Sequence, residues 1–301
     1  MNTPLVSICC ITYNHAQFIR KCLDSFLMQE TNFPIEILIH DDCSTDGTTE
    51  IIREYEAKYP ELIFPLYEEE NQYQQGKAAE IDFYNYRRAR GKYIAYCEGD
   101  DYWTDPLKLQ KQVDFMEANP EYSVCFHGFE EYYTKIDKWR SIELCKGKDV
   151  ELTSNMYLRN SCWGQPLTML FRSSMFDFAW CNKYRYYRDT HEIYHLLQKG
   201  KGCFLNFKGG VYNRHDGGIA TSMSYHKSNT MACDIFMELY RENGNDKDLR
   251  NLLIDTLIWK YKMNKKSVFY KLCVTYLFLA PSVILQTLWI ILKRKFKSMN
   301  S

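Results

Sequence analysis

The stretch Tyr93-Ile94-Ala95-Tyr96-Cys97-Glu98-Gly99-Asp100-Asp101-Tyr102-Trp103 decides how the rest of the chain is read. It opens as an apolar run rich in strand-forming residues. It ends abruptly in three acids, Glu98, Asp100 and Asp101, with only Gly99 among them. Carboxylates at the end of a buried strand are costly unless a cation compensates them. In open α/β sheets that carboxyl end is also where ligands bind. A divalent cation with a phosphorylated ligand answers both conditions, because hard oxygen donors suit Mg²⁺ or Mn²⁺. The same residues also read as ordinary helix capping by Asp101 or Thr104 ahead of Asp105-Pro106, and the two readings are compatible.

Upstream, Leu5 to Ile11 is a second apolar run, ending in Thr12-Tyr13-Asn14-His15. Phe18 to Met28 then carries helical spacing. Ile35 to Ile39 is a further strand and ends in His40-Asp41-Asp42-Cys43-Ser44-Thr45-Asp46-Gly47-Thr48, with a helix following over Thr49 to Tyr59. Leu62 to Tyr67 predicts a short strand, Ala78 to Ala89 a helix, and Gly91 a stop before the opening stretch. The alternation of strand and helix implies a mainly parallel sheet. Successive strand ends with polar or acidic turns should therefore meet at one edge. Neither a Gly-x-Gly-x-x-Gly after the first strand nor a Gly-x-x-x-x-Gly-Lys-Ser/Thr occurs, so the dinucleotide fingerprint and the P-loop are unsupported.

Beyond Trp103, Leu107 to Ala118 predicts an amphipathic helix and Ser123 to Phe129 a strand. Glu130 to Lys148 reads as strands or a long loop, and Asp149 to Arg159 as a short helix. Gln165 to Arg172 reads as a turn and strand. Arg188-Asp189-Thr190 precedes a helical run at Ile193 to Gln198, and Gly202 to Phe207 is a strand. Tyr212-Asn213-Arg214-His215-Asp216-Gly217-Gly218 reads as a polar loop. Two more amphipathic helices are expected at Met231 to Arg241 and Leu249 to Lys262.

The chain has 301 residues, 46% hydrophobic and 25% charged, enough for a substantial core. A formal net charge of +0 gives no long-range pull on nucleic acid, so no nucleic-acid partner is expected. None of the 12 cysteines lies in a Cys-x-x-Cys pair, and most sit in apolar runs, where they read as small buried hydrophobes in a reducing compartment. The first residues show neither a basic n-region nor a long apolar stretch, which places the body of the protein in the cytoplasm.

From Leu272 to Leu292 no residue is charged, with Lys271 on one side and Lys293, Arg294, Lys295 and Lys297 on the other. A spanning helix needs about 20 apolar residues, and Pro281, Ser282, Gln286 and Thr287 interrupt this one. Basic flanks both favour the cytoplasmic side. Two short helices kinked at Pro281 and lying in the membrane interface satisfy these constraints, as a peripheral or monotopic attachment. A buried helical hairpin, a homo-oligomer interface or a kinked single span are the alternatives.

Val6-Ser7-Ile8-Cys9-Cys10-Ile11-Thr12-Tyr13-Asn14, the Asp41 to Thr48 segment, and Gly91-Lys92-Tyr93 through Trp103 occur in that order. Together they resemble a family 2 glycosyltransferase of the GT-A fold, over about residues 4–220. The resemblance implies an α/β, Rossmann-like sheet flanked by helices, as a GT-A domain at 1–220 (nucleotide-sugar half 1–105, acceptor half 106–220). The helical spacing and the apolar run beyond it add a C-terminal helical extension at 221–265 and an apolar, basic tail at 266–301. The resemblance also implies an inverting, metal-dependent enzyme using a nucleotide-diphosphate sugar.

By position in those motifs, Thr12, Tyr13 and Asn14 would line the nucleotide pocket, and Asp41 would accept a hydrogen bond from the base. Glu98-Gly99-Asp100 stands where the family has Asp-x-Asp, so Asp100 would bind Mn²⁺ or Mg²⁺ and Glu98 would face the nucleotide sugar. Lys77 lies where a basic residue often approaches the nucleotide. Asp189 matches the catalytic base, although Arg188 replaces the family's acidic neighbour. Arg214 would close over the diphosphate, His215 would reach phosphate or metal, and Gln165 and Thr168 would border the acceptor. A glycan or lipid-linked acceptor in bacterial surface polysaccharide assembly is expected by analogy. Two other classes remain open. A sugar nucleotidyltransferase would need a glycine- and lysine-rich first turn, which Thr12 to Ala16 does not supply. A non-catalytic carbohydrate-binding or scaffold protein would not need the acids at successive strand ends.

Overall fold

A computed structural model of the chain describes residues 3–185, 187–218, 225–244, 246–262 and 266–299. The chain divides into two units, residues 1–218 and 219–301. The first half of unit one follows the expected alternation. It runs β1 (Val6–Thr12), α1 (Ile19–Leu27), β2 (Ile35–Asp41), α2 (Thr48–Lys58), β3 (Ile63–Tyr67), α3 (Ala78–Arg88) and β4 (Tyr93–Tyr96). The second half adds β5 (Tyr102–Trp103), α4 (Lys108–Ala118), β6 (Tyr122–Tyr133), β7 (Lys138–Ser141), β8 (Val150–Leu152), α5 (Ser154–Arg159), β9 (Leu170–Arg172), α6 (Asp189–Lys199) and β10 (Lys201–Arg214).

These strands form one sheet in the order β3-β2-β1-β4-β9-β6-β10-β5, with β7 on β6 and β8 on β10. The β3-β2-β1-β4 block and the β6-β10 pair are parallel, while β9 runs antiparallel between β4 and β6. The mainly parallel GT-A arrangement inferred above is therefore the architecture found. β1 is buried along nearly its whole length, as a strand covered on both faces must be. Ile19, Cys22, Leu23 and Phe26 turn the inner face of α1 onto the sheet. Burying each large side chain of this kind contributes about 1.5–3 kcal/mol.

Of the strands or long loop expected from Glu130, strands are found: Glu130 to Tyr133 continue β6, which turns at Thr134–Ile136 into β7. Two local expectations change. Asp149 to Arg159 is not one helix. Val150, Glu151 and Leu152 pair with β10, and the Thr153 side chain then caps a short helix by accepting from Met156 N–H. Tyr212, Asn213 and Arg214 are strand rather than loop, because β6 extends far enough to pair with them.

In unit two, α7 (Tyr225–Glu242), α8 (Lys247–Lys262), α9 (Lys266–Leu277) and α10 (Pro281–Met299) share one core that includes Cys233, Met237, Leu253, Leu257, Phe269, Tyr276 and Val283. Residues on both sides of position 265 thus contribute to the same packed cluster. Pro281 opens α10, where its missing N–H costs nothing, and so splits the apolar run into two helices. Among the described residues, no helix is long and apolar enough to cross a membrane.

Candidate functional site

The site forms where β1 ends between its two neighbours. On one side Thr12 is in register with Asp41, and Asp42 N–H donates to the Thr12 carbonyl (3.0 Å). On the other side Gly99 N–H donates to the Ile11 carbonyl (2.8 Å). The acid turns after β2 and β4 therefore flank the Thr12–His15 turn. Gly99 is required by that closeness: a Cβ there would lie 2.7 Å from Thr12 Oγ1.

The turn itself is tied down by β2's loop. Asn14 takes a left-handed backbone (φ 54°), which Asn tolerates, and its Oδ1 accepts from Thr45 N–H at 2.8 Å. Its own N–H donates to Ser44 Oγ. Tyr13 is left 37% exposed, with its ring free of the core. Asp41 is buried and its carboxylate is occupied within the chain. Ser44 Oγ donates to Oδ1 and Thr49 Oγ1 to Oδ2, both at 2.5 Å. Asp42 holds the next loop by accepting from the N–H groups of Gln72 (2.6 Å) and Tyr73 (3.1 Å). Lys77 is exposed at the start of α3 and donates to Gln72 Oε1.

Asp100 is the centre of the cluster. His215 Nε2 lies 2.9 Å from its Oδ2, and His15 Nε2 lies 3.6 Å from the same atom. Burial pushes the Asp100 carboxyl up, but the hydrogen bond from His215 and the charge of both imidazoles outweigh it and hold it below its usual range. Burial lowers His15, against the opposing pull of Asp100. Asp101 is buried and pushed well above the ordinary carboxyl range, first by desolvation and then by Asp100. Its Oδ1 accepts from Asn213 N–H (2.8 Å), and Asn213 Nδ2 donates to the Asp100 carbonyl. The end of β10 is thus clipped onto the acid turn.

These residues fit a divalent cation. Asp100 Oδ1 is buried with no hydrogen-bond partner among the described residues, and an orphaned buried carboxylate oxygen asks for a ligand. The donor atoms of His15, Asp100 and His215 lie within 4.8 Å of one another, as do those of Glu98, Asp100 and Asp101.

Other expected site residues stand apart from this cluster or serve it indirectly. Arg214 donates through Nε and Nη2 to Glu131 Oε1 (2.8 and 2.5 Å) and packs over the Tyr212 ring. Glu131 is buried and also pairs with Arg140. Thr168 is buried, with its hydroxyl on the Gln165 carbonyl at 2.7 Å, so its side chain shapes the turn. That turn lies beside β4, since Tyr96 N–H reaches the Met169 carbonyl. Asp189 is exposed at the first turn of α6, accepting from Thr190 N–H. His15, Asn213 and Glu131 were not singled out from the sequence. His15 and Asn213 carried a signal, each adjoining assigned residues, Thr12-Tyr13-Asn14 and Arg214-His215. Asn213 and Glu131 depend on the extended β6–β10 pairing.

Known proteins bear on this arrangement. TarS of S. aureus, in a crystal structure with UDP-GlcNAc, superposes with a TM-score of 0.61 at 18% identity, covering 85% of this chain and 72% of that one. The mannosyltransferase PcManGT of Pyrobaculum calidifontis, in complex with GDP-Man and Mn²⁺, gives a TM-score of 0.53 at 14% identity, covering 96% and 88%. At such identities the likeness is one of fold. An uncharacterized protein of Mycobacterium tuberculosis is 48% identical over 122 residues, which is 40% of this chain and 34% of that protein. The E. coli UDP-Glc:alpha-D-GlcNAc-diphosphoundecaprenol beta-1,3-glucosyltransferase WfaP is 35% identical over 133 residues, 44% of this chain and 48% of WfaP. These matches span between a third and a half of the relatives' own lengths. The family model described as glycosyl transferase family 2 matches residues 7–185, more than half of the sequence. The chain belongs to glycosyl transferase family 2.

Proposed function

We propose that the protein moves a sugar from a nucleoside-diphosphate donor, a UDP-sugar, to a hydroxyl of a lipid-linked glycan, with inversion at the anomeric carbon. The observation that carries this reading is the convergence of the acid turns after β2 and β4 on the Thr12–His15 turn, with Asp100 facing His215. Tyr13, exposed beside Thr12 and Asn14, offers a face to the nucleotide base. Asp41 fixes the loop after β2, and Lys77 would approach the nucleotide. Asp100 and His215 would hold Mn²⁺ or Mg²⁺, and a bound ion would supply positive charge against the departing diphosphate. Glu98 would meet the donor sugar. Arg214 would reach the diphosphate by leaving Glu131, and Gln165 with the Thr168 turn would border the acceptor. Asp189, exposed at the head of α6, would take the proton from the attacking hydroxyl as a general base. One displacement then breaks the bond to the diphosphate as the new glycosidic bond forms on the opposite face.

The acceptor's lipid would bring the enzyme to the cytoplasmic face of a membrane. The second unit supports this, because α9, α10 and the turn between them expose Tyr270, Val274, Phe278, Leu285, Trp289 and Leu292. Phe278 is 88% exposed, far more than a core helix would leave in water. Lys293 and Arg294 are exposed at the end of that stripe, and Lys293 Nζ sits over the Trp289 ring. The pattern suits a hairpin lying in a lipid interface. WfaP, whose name specifies a diphosphoundecaprenol-linked acceptor, supports the same class of substrate.

A thermal-shift panel of nucleotide sugars with and without Mn²⁺ tests the donor, since a true donor stabilises by mass action. Product analysis tests the reaction: released nucleoside diphosphate is expected, and released pyrophosphate would instead indicate nucleotidyl transfer.

A further inference from the structure

We propose that His15 is a third protein ligand of the cation site and that its imidazole biases the site toward Mn²⁺ and other first-row transition ions over Mg²⁺. This deepens the metal-dependent reading above and rests on it. His15 Nε2 and His215 Nε2 approach the same oxygen, Asp100 Oδ2, at 3.6 and 2.9 Å. On an ion with bonds of about 2.1 Å, adjacent donors sit about 3 Å apart, a spacing that Asp100 and His215 already have and that His15 would reach by closing in about half an ångström. The two imidazole planes are nearly perpendicular (88°), with centroids 6.0 Å apart, so the rings do not stack against each other.

His15 is also held in place. Its N–H donates to Thr48 Oγ1 (2.8 Å), which in turn donates to Asp46 Oδ1 (2.6 Å). Its carbonyl accepts from Phe18 and Ile19 N–H at the start of α1. Phe18 packs against both imidazoles, with centroids 6.4 Å from His15 and 4.5 Å from His215. Buried polar atoms without hydrogen-bond partners among the described residues gather here: Asp100 Oδ1, Thr12 Oγ1 and His15 Nδ1. Buried groups are rarely left so without a ligand.

The competing donor set, Glu98 with Asp100 and Asp101, is all oxygen and would favour Mg²⁺. Asp101 is weakened for that purpose, since its Oδ1 already accepts from Asn213 N–H. Two imidazoles and one carboxylate make a set better matched to transition ions.

Mn²⁺ binding to the full chain, followed by the electron paramagnetic resonance of free Mn²⁺ with Mg²⁺ as competitor, separates the two. The wild type should prefer Mn²⁺ to Mg²⁺, and His15→Ala should weaken Mn²⁺ by about 10–100-fold while changing Mg²⁺ far less. His15→Gln, which keeps a polar side chain in the turn, should behave like His15→Ala. Wild-type Mn²⁺ affinity in either variant, or an equal loss of both ions, overturns the proposal. A protein that shows the selective loss but releases no nucleoside diphosphate keeps this inference and loses the transfer reading. Transfer with unchanged Mn²⁺ affinity in the variants does the reverse.

Discussion

His215 Nε2 stands 2.9 Å from Asp100 Oδ2, although the two residues are 115 positions apart. The contact exists because β10 ends beside the acid turn and Asn213 clips the two together. Asp100 gives one oxygen to the histidines and leaves the other without a hydrogen-bond partner among the described residues. Asp100→Asn should therefore leave the fold intact, abolish the Mn²⁺-dependent part of donor stabilisation and cut transfer by on the order of 10²-fold or more. Calorimetry of UDP binding with and without Mn²⁺ checks it. A variant that still binds UDP in a fully Mn²⁺-dependent way would place the cation elsewhere.

Asp189 sits at the first turn of α6, exposed, and bonded only to its neighbour's N–H and hydroxyl among the contacts described for it. Its side chain supports no core packing, so replacing it should not disturb the fold. Asp189→Asn should lower kcat by about 10²–10⁴-fold with little change in donor affinity. Transfer near the wild-type rate would remove Asp189 from the base role.

The first hundred residues were legible because each strand is a short apolar run closed by a polar turn, and each intervening helix carries its own 3.6-residue spacing. The meeting of the turns at one edge followed from parallel order alone. The second half was less so. Glu131 looks solvated beside Glu130, yet it is buried because Arg140 and Arg214 neutralise it across neighbouring strands. Tyr102–Trp103 gives only two residues of strand and pairs antiparallel with β10, a contact set by the sheet's far edge. His15 meets Asp100 through the neighbouring ends of β1 and β4, whereas His215 joins them only when β10 arrives, which no local pattern encodes.

Gly99 offers a sharp steric test. An added methyl would meet Thr12 Oγ1 at 2.7 Å and Thr12 Cβ at 2.8 Å, with Ile19 Cδ1 behind at 3.1 Å. The crowding involves a buried strand end rather than a mobile side chain. Gly99→Ala should destabilise the protein by about 1–3 kcal/mol and displace Asp100 from the histidines. Urea unfolding gives the first effect and Mn²⁺ affinity the second. Unchanged values in both would mean that β1 and the acid turn are not packed as described.

Lys108 is fully buried, its Nζ has no hydrogen-bond partner among the described residues, and it lies 3.7 Å from the centroid of the Trp103 ring. Desolvation brings the amine down to about 7 from its ordinary 10.5. Between those values the unfolded chain holds the proton that the folded chain has lost, so this residue makes stability rise with pH across that window. Below about pH 7 the full cost of a buried charge is carried, relieved in part by the indole face. Lys108→Met should therefore stabilise the protein by roughly 1–4 kcal/mol at low pH, with the gain shrinking toward alkaline pH. Urea unfolding at pH 6 and pH 9 measures it. An equal gain at both would assign the effect to packing instead of charge.

The exposed stripe on α9 and α10 can be taken apart into its apolar and cationic parts. Phe278 projects from the turn between α9 and α10, and Trp289 from α10 beyond Pro281. If each enters the lipid interface, it contributes about 1.5–3 kcal/mol, so Phe278→Ser or Trp289→Ser should weaken vesicle binding by about 10–100-fold. Lys293→Glu with Arg294→Glu should act differently, since each cation is worth about 1 kcal/mol against anionic lipid and little against neutral lipid. Co-sedimentation of the full chain with phosphatidylglycerol-containing and purely zwitterionic vesicles separates the two contributions. Loss of binding in the aromatic variants on both vesicle types, and in the charge variant only on the anionic type, is the expected pattern. Wild-type chain that ignores vesicles and instead self-associates through the same residues would make this face a contact between copies of the protein.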